Sequence, residues 1–358
     1  MRHPTMEDVA REASVSRALV SLVFRNSPKV ADGTRSRVLM AAERLGYRPN
    51  ANARRLASRT TDTVGVLLRD LHNPFFADIV DGIEAAADRQ SVQVLISHAR
   101  RGDDEIGAIE RLLELRPLGL LLLSPSLPTR ALATRVGRVP TVIVGREVRH
   151  PEFDIVVDDD AKGAELAVRH LHELGHRRIV HVSGGRREAG AAPRIRGYER
   201  AMRAVGRQPR VVPGRFSEES GLAAAEALAT ADDRPTAVFA ANDLIAVGLL
   251  SGFDRLGIRV PEDVSLVGYD NTSLARIRHI DLTTIDQPRR AMGELAIDTL
   301  LERLARGRRR STTHRTLPTL IVRSTTGPVF HARWERSDEA ARADNTRSGR
   351  DATRRLPP

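Results

Sequence analysis

Three residues of this sequence, His172, Glu173 and His176, have the H-E-x-x-H spacing of a zinc peptidase. That chemistry requires one unbroken helix, which places both histidines on one face and the glutamate beside a metal-bound water. Gly175 stands between the histidines, at a position where a glycine typically ends a helix. The stretch RRIVHV that follows has the β-branched, apolar character of a strand. We therefore favour a helix, a glycine stop and a core strand over a metal site, with His176 beyond the helix end.

Other catalytic chemistry finds little support in the sequence. The segment SGGRREAG follows a predicted strand, but it lacks the GK[ST] of a phosphate-binding loop and the full G-x-G-x-x-G spacing. The chain has no cysteine, which excludes a disulfide framework and cysteine-based nucleophiles or metal ligands. We find no catalytic constellation, so we expect neither an enzyme nor a bound cofactor.

The length and hydropathy of the chain indicate a multidomain soluble protein. Its 358 residues are enough for two or three domains, each with its own core. The N-terminal stretch MRHPTMEDVARE has no apolar segment of signal-peptide length, and no later stretch approaches the roughly 18 apolar residues of a membrane span. Together with the absence of cysteine, this predicts a cytoplasmic protein without a membrane partner.

The net charge of +11 is concentrated at the N-terminus. Residues 1–60 contain 12 Lys and Arg against 5 Asp and Glu, whereas the stretch up to residue 330 is almost neutral, with 38 against 36. A genome that favours arginine would spread the positive charge evenly along the whole chain, so we favour this explanation less. A small basic head on a neutral body indicates that the head binds a polyanion.

Three short helices are predicted in this basic segment. Thr5 and Asp8 form a capping-box start for the first, and Ser16 caps the second, SRALVSLVFR, after a very short break. A third is expected from Asp32 to Leu45, where apolar residues recur at helical spacing. Two helices joined so tightly predict a helix-turn-helix, whose second helix enters the DNA major groove. The sharp turn would fall on Ser14, where a glycine is more usual.

From Thr63 onward the pattern changes to alternating strands and helices. The apolar runs VGVLL, VQVLIS, LGLLLLS, TVIV, RIVHVS, TAVFA and VSLVGYD mostly precede amphipathic helices. This predicts an α/β fold of parallel sheets covered by helices, divided near residues 157–162 and 286–290 into two lobes with a cleft between them. Ligands of such folds bind at the carboxyl ends of the strands. The polar tail of residues 331–358 is predicted to be disordered.

The order of these parts resembles the lactose/galactose repressor (LacI/GalR) family of bacterial transcription factors. The resemblance rests on TMEDVAREASVSRALVSLVF, LGYRPNANARRLASRTTDTVGVLL, NPFFADIVDGIE, ANDLIAVGLL and PEDVSLVGYDN, and it extends from residue 5 to about 325. It implies a helix-turn-helix domain at residues 1–49, a hinge helix at 50–60, and a two-lobed core at 61–330. That core would resemble periplasmic sugar-binding proteins, dimerise and bind a small effector.

The resemblance also implies which residues of the head and hinge contact DNA. The operator bases would be read by Arg17, Ala18 and Leu22 on the second helix. Arginine can bond to guanine in two places, whereas alanine and leucine offer only apolar contact to a thymine methyl. Arg17 as a phosphate contact stays an alternative, and Leu22 stands where the family more often has arginine. The full set of expected contacts is Thr5, Ser16, Arg17, Ala18, Ser21, Leu22, Asn26, Asn50, Ala53, Arg54 and Leu56.

Leu56 has a special position in this set. In the family, a leucine of the hinge helix is pushed into the central base step of the operator, where it unstacks and kinks the duplex. Without a partner, a helix of about ten residues this polar is marginal in water, so folding of the hinge is expected only on DNA. A plain linker leucine is the alternative interpretation of Leu56.

Seven residues are expected to contact the effector by the same resemblance. Arg196 and Asp270 would face one another across the cleft, where the arginine donates to ligand hydroxyls and the carboxylate accepts from them. Such a pair suits a sugar or polyol, with a structural turn residue as the alternative interpretation of Asp270. Arg69 stands where some relatives have serine, so the ligand could carry an anionic group, with a surface arginine as the alternative. The full set is Arg69, Phe75, Arg196, Phe216, Asn242, Asp270 and Gln287.

These observations lead to an effector-controlled repressor that binds a pseudo-palindromic operator as a homodimer. A solute-binding protein with the same two-lobed core is the alternative, but it would explain neither the basic head nor the hinge.

Overall fold

The computed structural model of the protein describes residues 4–24, 27–47, 62–99, 102–185, 188–308 and 310–329. The chain divides into two compact units, here named the head (Met1–Thr61) and the body (Asp62–Pro358). Asn26, the predicted hinge at 50–60 and the predicted disordered tail lie outside the described residues.

The described residues of the head form three helices, α1 (Met6–Glu12), α2 (Arg17–Phe24) and α3 (Asp32–Leu45). The Thr5 hydroxyl accepts a hydrogen bond from the Asp8 backbone, and the Asp8 carboxylate accepts one from the Thr5 N–H at 2.8 Å, which completes the predicted capping box. The Ser16 hydroxyl accepts from the N–H of Leu19 at 3.2 Å. The three predicted helices and their caps are confirmed.

The turn between α1 and α2 falls on Ser14, as predicted. Its φ of 54° lies in the left-handed region, which costs a non-glycine residue on the order of 1 kcal/mol. The Ser14 N–H bonds to the carbonyl of Arg11 at 3.2 Å. An apolar cluster that includes Val9, Val20 and Val38, all inaccessible to solvent, holds the three helices around this turn.

The described residues of the body contain twelve strands. They are β1 (Thr63–Leu68), β2 (Gln93–His98), β3 (Gly119–Leu123), β4 (Thr141–Val144), β5 (Phe153–Asp158), β6 (Ile179–Val182), β7 (Arg210–Val212), β8 (Ala237–Ala240), β9 (Ser265–Asp270), β10 (Thr284–Asp286), β11 (Thr313–Thr316) and β12 (Thr319–Ile321).

These strands form two six-stranded sheets, one in each lobe. Lobe 1 has the order β11-β5-β4-β3-β1-β2, and all of its neighbouring strands are parallel. Lobe 2 has the order β12-β10-β9-β8-β6-β7, in which only the β10–β12 pair is antiparallel. The predicted α/β architecture with parallel sheets is confirmed.

Helices cover both faces of each sheet. Those of lobe 1 are α4 (Pro74–Arg89), α5 (Gly102–Glu114), α6 (Thr129–Val136) and α11 (Arg289–Arg306), and those of lobe 2 are α7 (Asp160–Glu173), α8 (Ala191–Ala204), α9 (Glu218–Ala229) and α10 (Asp243–Arg255). Each sheet therefore has an apolar cluster on either side, which explains why its strands are continuous apolar runs. A 3₁₀ turn, Ser273–Arg276, follows β9.

The chain passes between the lobes three times within the described residues. Two of the passages, β5 to α7 and β10 to α11, lie where the sequence predicted them. The third, from β11 to β12, was not predicted, because both are short edge strands: β11 is polar, and β12 has only three residues.

The segment with H-E-x-x-H spacing folds as predicted. Helix α7 ends at Glu173, Gly175 has a φ of +95°, and His176 lies in the connection to β6. His176 is buried, and its Nδ1 and Nε2 lie 3.0 Å from the hydroxyls of Thr236 and Ser265. It is a satisfied core histidine, and it does not share a helical face with His172.

The crossing of α9 and α10 depends on glycine. A Cβ at Gly248 would lie 2.0 Å from the backbone oxygen of Glu218, so an added methyl group would force the two helices apart. We predict that Gly248→Ala lowers the free energy of unfolding by about 1–3 kcal/mol, as overpacking does. Urea-induced unfolding measures this change.

Gly107→Ala is the matched control, because Gly107 is also helical but has only the flexible end of Arg111 nearby, at 3.3 Å. It should raise the free energy of unfolding by up to about 1 kcal/mol. Equal destabilisation by both substitutions would contradict the prediction.

Candidate functional site

The carboxyl ends of strands from both lobes line a cleft of about 1140 Å³. Three of its lining residues are helix caps: the side chains of Asn73, Ser217 and Asn242 accept hydrogen bonds from the first turns of α4, α9 and α10. The N-termini of these three helices therefore lie at the cleft. Of the seven effector contacts expected from sequence, six line the cleft, namely Arg69, Phe75, Phe216, Asn242, Asp270 and Gln287.

The seventh expectation, Arg196, is corrected by the structure. Arg196 is exposed on α8 and does not line the cleft, whereas Arg194 does. Two residues along a helix lie about 200° apart around its axis, so the two arginines face opposite sides. The signal was present in the sequence, because Ala191, Ile195 and Tyr198 mark the buried stripe of α8, which includes position 194 and excludes 196.

Arg194 is the buried cation at the floor of the cleft. Its Nε donates to Asp160 at 2.9 Å, its Nη1 donates to the carbonyl of Ala241 at 2.5 Å, and its Nη2 lies 3.7 Å from Asp270. Its guanidinium carbon lies 3.7 Å from the centre of the Tyr269 ring. Burial lowers the pKa of Arg194, but Asp160 and Asp270 outweigh that effect and raise the pKa above its ordinary value. The residue is therefore a permanent charge.

The carboxylates of the floor include two that the sequence prediction did not select, Asp158 and Asp160. Both belong to the passage from β5 to α7. Burial, followed by the charge of Asp160, raises the pKa of Asp158 to about 7, although a hydrogen bond of 3.1 Å from the Tyr269 hydroxyl opposes this. Burial also raises the pKa of Asp160, while Arg194 opposes that rise. The run of three aspartates at 158–160 was the available signal.

Asp270 lies at the end of β9 with an unusual backbone. Its φ is +109° and that of Asn271 is +53°, two consecutive non-glycine residues with positive φ. Burial raises the pKa of Asp270 to about 7, although Arg194 opposes the rise. The Gln287 side chain donates to the Asp270 carboxylate at 2.6 Å. Asp270 is thus oriented by a residue at the passage into α11, which links the predicted contacts Asp270 and Gln287.

Asn271 is held by charged residues on several elements. Arg323 donates to its side-chain oxygen at 2.7 Å, and its amide nitrogen donates to Asp286 at 2.8 Å. Its carbonyl accepts from Arg289, the first residue of α11, at 2.8 Å, and the same guanidinium donates to Asp78 of α4 at 2.6 Å. Because α4 and α11 belong to lobe 1, Arg289 connects the strained turn beside Asp270 to the other lobe.

The opening of the cleft has an ion pair and aromatic rings. Arg69 of lobe 1 donates a hydrogen bond to Glu188 of lobe 2. The Phe216 ring packs on Gly184, where a Cβ would lie 2.2 Å from a ring carbon, and it also lies 5.6 Å from the guanidinium carbon of Arg194. Phe75 contributes a second ring from α4.

In the head, the residues expected to contact DNA differ in their exposure to solvent and in the contacts they already make. Arg17 and Ala18 are exposed at the start of α2. The hydroxyls of Thr5 and Ser16 cap helices, and Leu22 is partly buried against the apolar cluster. Ser21 is half-buried on α2. The remaining expected contacts lie outside the described residues: Asn26, Asn50, Ala53, Arg54 and Leu56.

The described residues contain no group of three or more side chains suited to a metal ion. None of the described helices has the length and apolar composition to cross a membrane.

Comparison with known proteins matches both units. Residues 5–50 match bacterial regulatory proteins of the lacI family, and residues 168–326 match the periplasmic binding protein-like domain. The HTH-type transcriptional repressor PurR of Vibrio vulnificus (strain CMCP6) is 35% identical over 327 residues, which cover 90% of this chain and 98% of that protein.

Solved structures agree with this match. The Lac repressor dimer bound to operator and the anti-inducer ONPF is similar with a TM-score of 0.83 and 30% identity, covering 91% of this chain and 100% of that one. The complex of the transcriptional regulator CelR with cellobiose has a TM-score of 0.68 and 33% identity, covering 90% of this chain and 99% of that one.

A helix-turn-helix head followed by a two-lobed body of the periplasmic-binding-protein type defines a bacterial DNA-binding regulator. The chain belongs to the lacI family of bacterial regulatory proteins. Like the relatives named above, it is a DNA-binding transcriptional repressor and not an enzyme.

The raised pKa of Asp158 predicts a specific pH dependence. Because its folded-state pKa of about 7 exceeds the ordinary 3.8, the folded protein retains a proton between these values that the unfolded chain loses. The associated stability is present below the unfolded pKa and is lost as the pH rises through the folded pKa. Asp158→Asn should remove this loss. Between about pH 5 and pH 8, the free energy of unfolding of the variant should therefore rise by more than about 1 kcal/mol relative to that of the unmodified protein.

Urea-induced unfolding of both proteins across this pH range is the measurement. A difference in the free energy of unfolding that stays constant with pH would contradict the assignment to Asp158.

Proposed function

We propose that the cleft binds a small, polyhydroxylated effector of the carbohydrate class and that its occupancy controls operator affinity. The observation that carries this proposal is the buried Arg194 between Asp160 and Asp270. Side by side, these groups present hydrogen-bond donors and acceptors, the combination that adjacent sugar hydroxyls require. The aromatic face of Phe216 supplies the apolar surface on which a pyranose ring packs.

The cellobiose complex of CelR supports this ligand class, because its structural similarity to this chain extends over 90% of the chain. We therefore assign to Arg194 the role that was expected of Arg196. The expected roles of Asp270, Phe216, Asn242 and Gln287 are unchanged. Arg69 and Phe75 contribute from lobe 1.

Control of DNA binding follows from the two lobes. A ligand shifts an equilibrium only by its differential affinity for the two states, and coupling between sites is typically about 1–3 kcal/mol. A ligand that contacts both lobes has such a difference, because its contacts with the second lobe exist only when the lobes close on it.

We infer that the head reads the operator through α2, with Arg17 as its polar reader of bases and Leu56 as the wedge of the hinge. The protein would act as a homodimer on a pseudo-palindromic operator, since two equal heads require two equal half-sites. Leu95 and Ile96 support the dimer, because both are exposed on the edge strand β2. The similarity to the Lac repressor dimer on its operator supports it as well.

The proposed role of Arg17 predicts a change in sequence preference. With a duplex selected by the protein from a random library, Arg17→Ala should relax base preference at one position per half-site by about 1–3 kcal/mol. Affinities for the selected duplex and its single-base variants, measured by fluorescence anisotropy, give this value. Arg37→Ala, an exposed arginine of α3, is the control. Uniform weakening on every duplex would make Arg17 a phosphate contact.

The proposed effector site predicts different behaviour of two neighbouring arginines. Arg194→Lys should weaken effector binding at least about tenfold, because lysine keeps the charge but cannot bond two carboxylates and a ligand at once. Arg196→Lys, the same substitution on the other side of α8, should leave effector affinity unchanged. A thermal-shift panel of neutral mono- and disaccharides that includes cellobiose identifies the ligand, and calorimetry measures its affinity.

Loss of affinity in both lysine variants would place the contact elsewhere. Stabilisation by nucleobases with no response to any carbohydrate would overturn the ligand class while leaving the repressor intact.

A further inference from the structure

One ion pair joins the two lobes at the opening of the cleft. Arg69 follows β1 in lobe 1, and Glu188 lies in the connection between β6 and α8 in lobe 2. The Arg69 Nη2 donates to the Glu188 Oε2, and the two side chains are only 23% and 21% exposed. Both residues line the cleft. The pair therefore belongs to the ligand cavity rather than to the outer surface.

The position of Glu188 is fixed by its own connection. The Glu188 N–H bonds to the carbonyl of Gly185 at 3.0 Å, and its carbonyl accepts from Ala191 at 3.2 Å. Gly185 has a φ of +92°, and a Cβ there would lie 3.0 Å from the backbone oxygen of Gly214. These contacts fix the backbone at Glu188, and the ion pair holds its carboxylate beside Arg69.

Two other arginines are already engaged by protein groups. Arg194 is paired with Asp160 and Asp270. Burial lowers the pKa of Arg146, whose guanidinium donates to the carbonyls of Pro125 and Leu127 at 2.8 and 2.6 Å. Arg69 is thus a guanidinium of the cleft lining on which a phosphate or carboxylate of a ligand would dock, and Glu188 occupies it.

The composition of the cleft lining also disfavours an anionic ligand. Among the described residues, carboxylates outnumber guanidiniums along its lining. The carboxylates are those of Asp70, Asp158, Asp160, Glu188, Glu219 and Asp270, and the guanidiniums are those of Arg69, Arg194 and Arg215. These carboxyls disfavour an anionic ligand, although burial raises the pKa of Asp158 and Asp270 to about 7 and so reduces their charge near neutral pH.

We propose that Glu188 is a specificity-determining residue, whose carboxylate neutralises Arg69 and so restricts the cleft to uncharged ligands, excluding phosphorylated and carboxylated sugars. The inference rests on the proposed function insofar as the cleft is the effector site. On this proposal Arg69 is the ion-pair partner of Glu188, and its charge is not available to an anionic group of the ligand.

The test removes the negative charge of the Glu188 side chain and keeps the shape of that side chain. The full-length Glu188→Gln variant should bind inorganic phosphate and D-glucose 6-phosphate at least about tenfold more tightly than the unmodified protein, because the freed guanidinium gains a charge-assisted partner. Isothermal titration calorimetry at constant ionic strength measures both affinities. Thermal unfolding in the absence of ligand verifies that the variant is folded.

Two further variants separate this effect from general charge. Glu219→Gln removes another carboxylate of the cleft, one exposed at the start of α9, and should gain no phosphate affinity. Adding Arg69→Gln to Glu188→Gln should abolish the gain. Equal phosphate affinity of the unmodified protein and Glu188→Gln would overturn the proposal, as would an equal gain in Glu219→Gln.

The neutral sugar panel keeps this result distinct from the proposed function. If Glu188→Gln gains phosphate affinity while no neutral sugar binds the unmodified protein, the carbohydrate proposal fails and the role of Glu188 stands. If a neutral sugar binds and Glu188→Gln gains nothing, only the role of Glu188 fails.

Discussion

A single buried guanidinium determines the floor of the cleft. Because a buried charge must be paired, Arg194 requires carboxylates on two sides, and the fold supplies Asp160 from the start of α7 and Asp270 from the end of β9. The ring of Tyr269 closes a third side at 3.7 Å. Removal of Arg194 would leave both carboxylates without this cation. The same arrangement that stabilises the cation creates a surface of donors and acceptors at one end of a large cavity.

The floor is linked to lobe 1 through the backbone beside Asp270. Two consecutive residues with positive φ store strain that surrounding contacts must hold, and such strain is typical of functional turns. Arg289 holds the Asn271 carbonyl from the start of α11 and is itself fixed by Asp78 of α4. A movement of Asp270 therefore changes a contact that lobe 1 shares, which gives the ligand site a physical connection to the helices of the other lobe.

Much of this arrangement could be predicted from sequence, and the failures have physical causes. Periodicity identified the head helices and the parallel sheets because their apolar patterns are strong. It missed several strands, among them β11 and β12, which are only four and three residues long and whose pairing is decided by distant chain segments. The resemblance indicates Arg196 in place of Arg194, because a motif does not show which face of a helix a residue occupies. Asp158 was missed because its chemistry arises from burial beside Asp160, a property of the folded state.

The distribution of the site between the lobes indicates where control originates. Asp270 is linked to lobe 1 through Asn271 and Arg289, whereas in the proposed site the contacts with Arg194, Phe216 and Asn242 lie within lobe 2 and stay the same whether the lobes are open or closed. Such contacts raise affinity for both states equally and shift nothing. Differential affinity must therefore come from the side chains of lobe 1, which include Arg69, Phe75 and Ser124. On the proposed function, lobe 2 would hold the ligand, and the fit of the ligand against these fewer residues of lobe 1 would set the size and sign of the response.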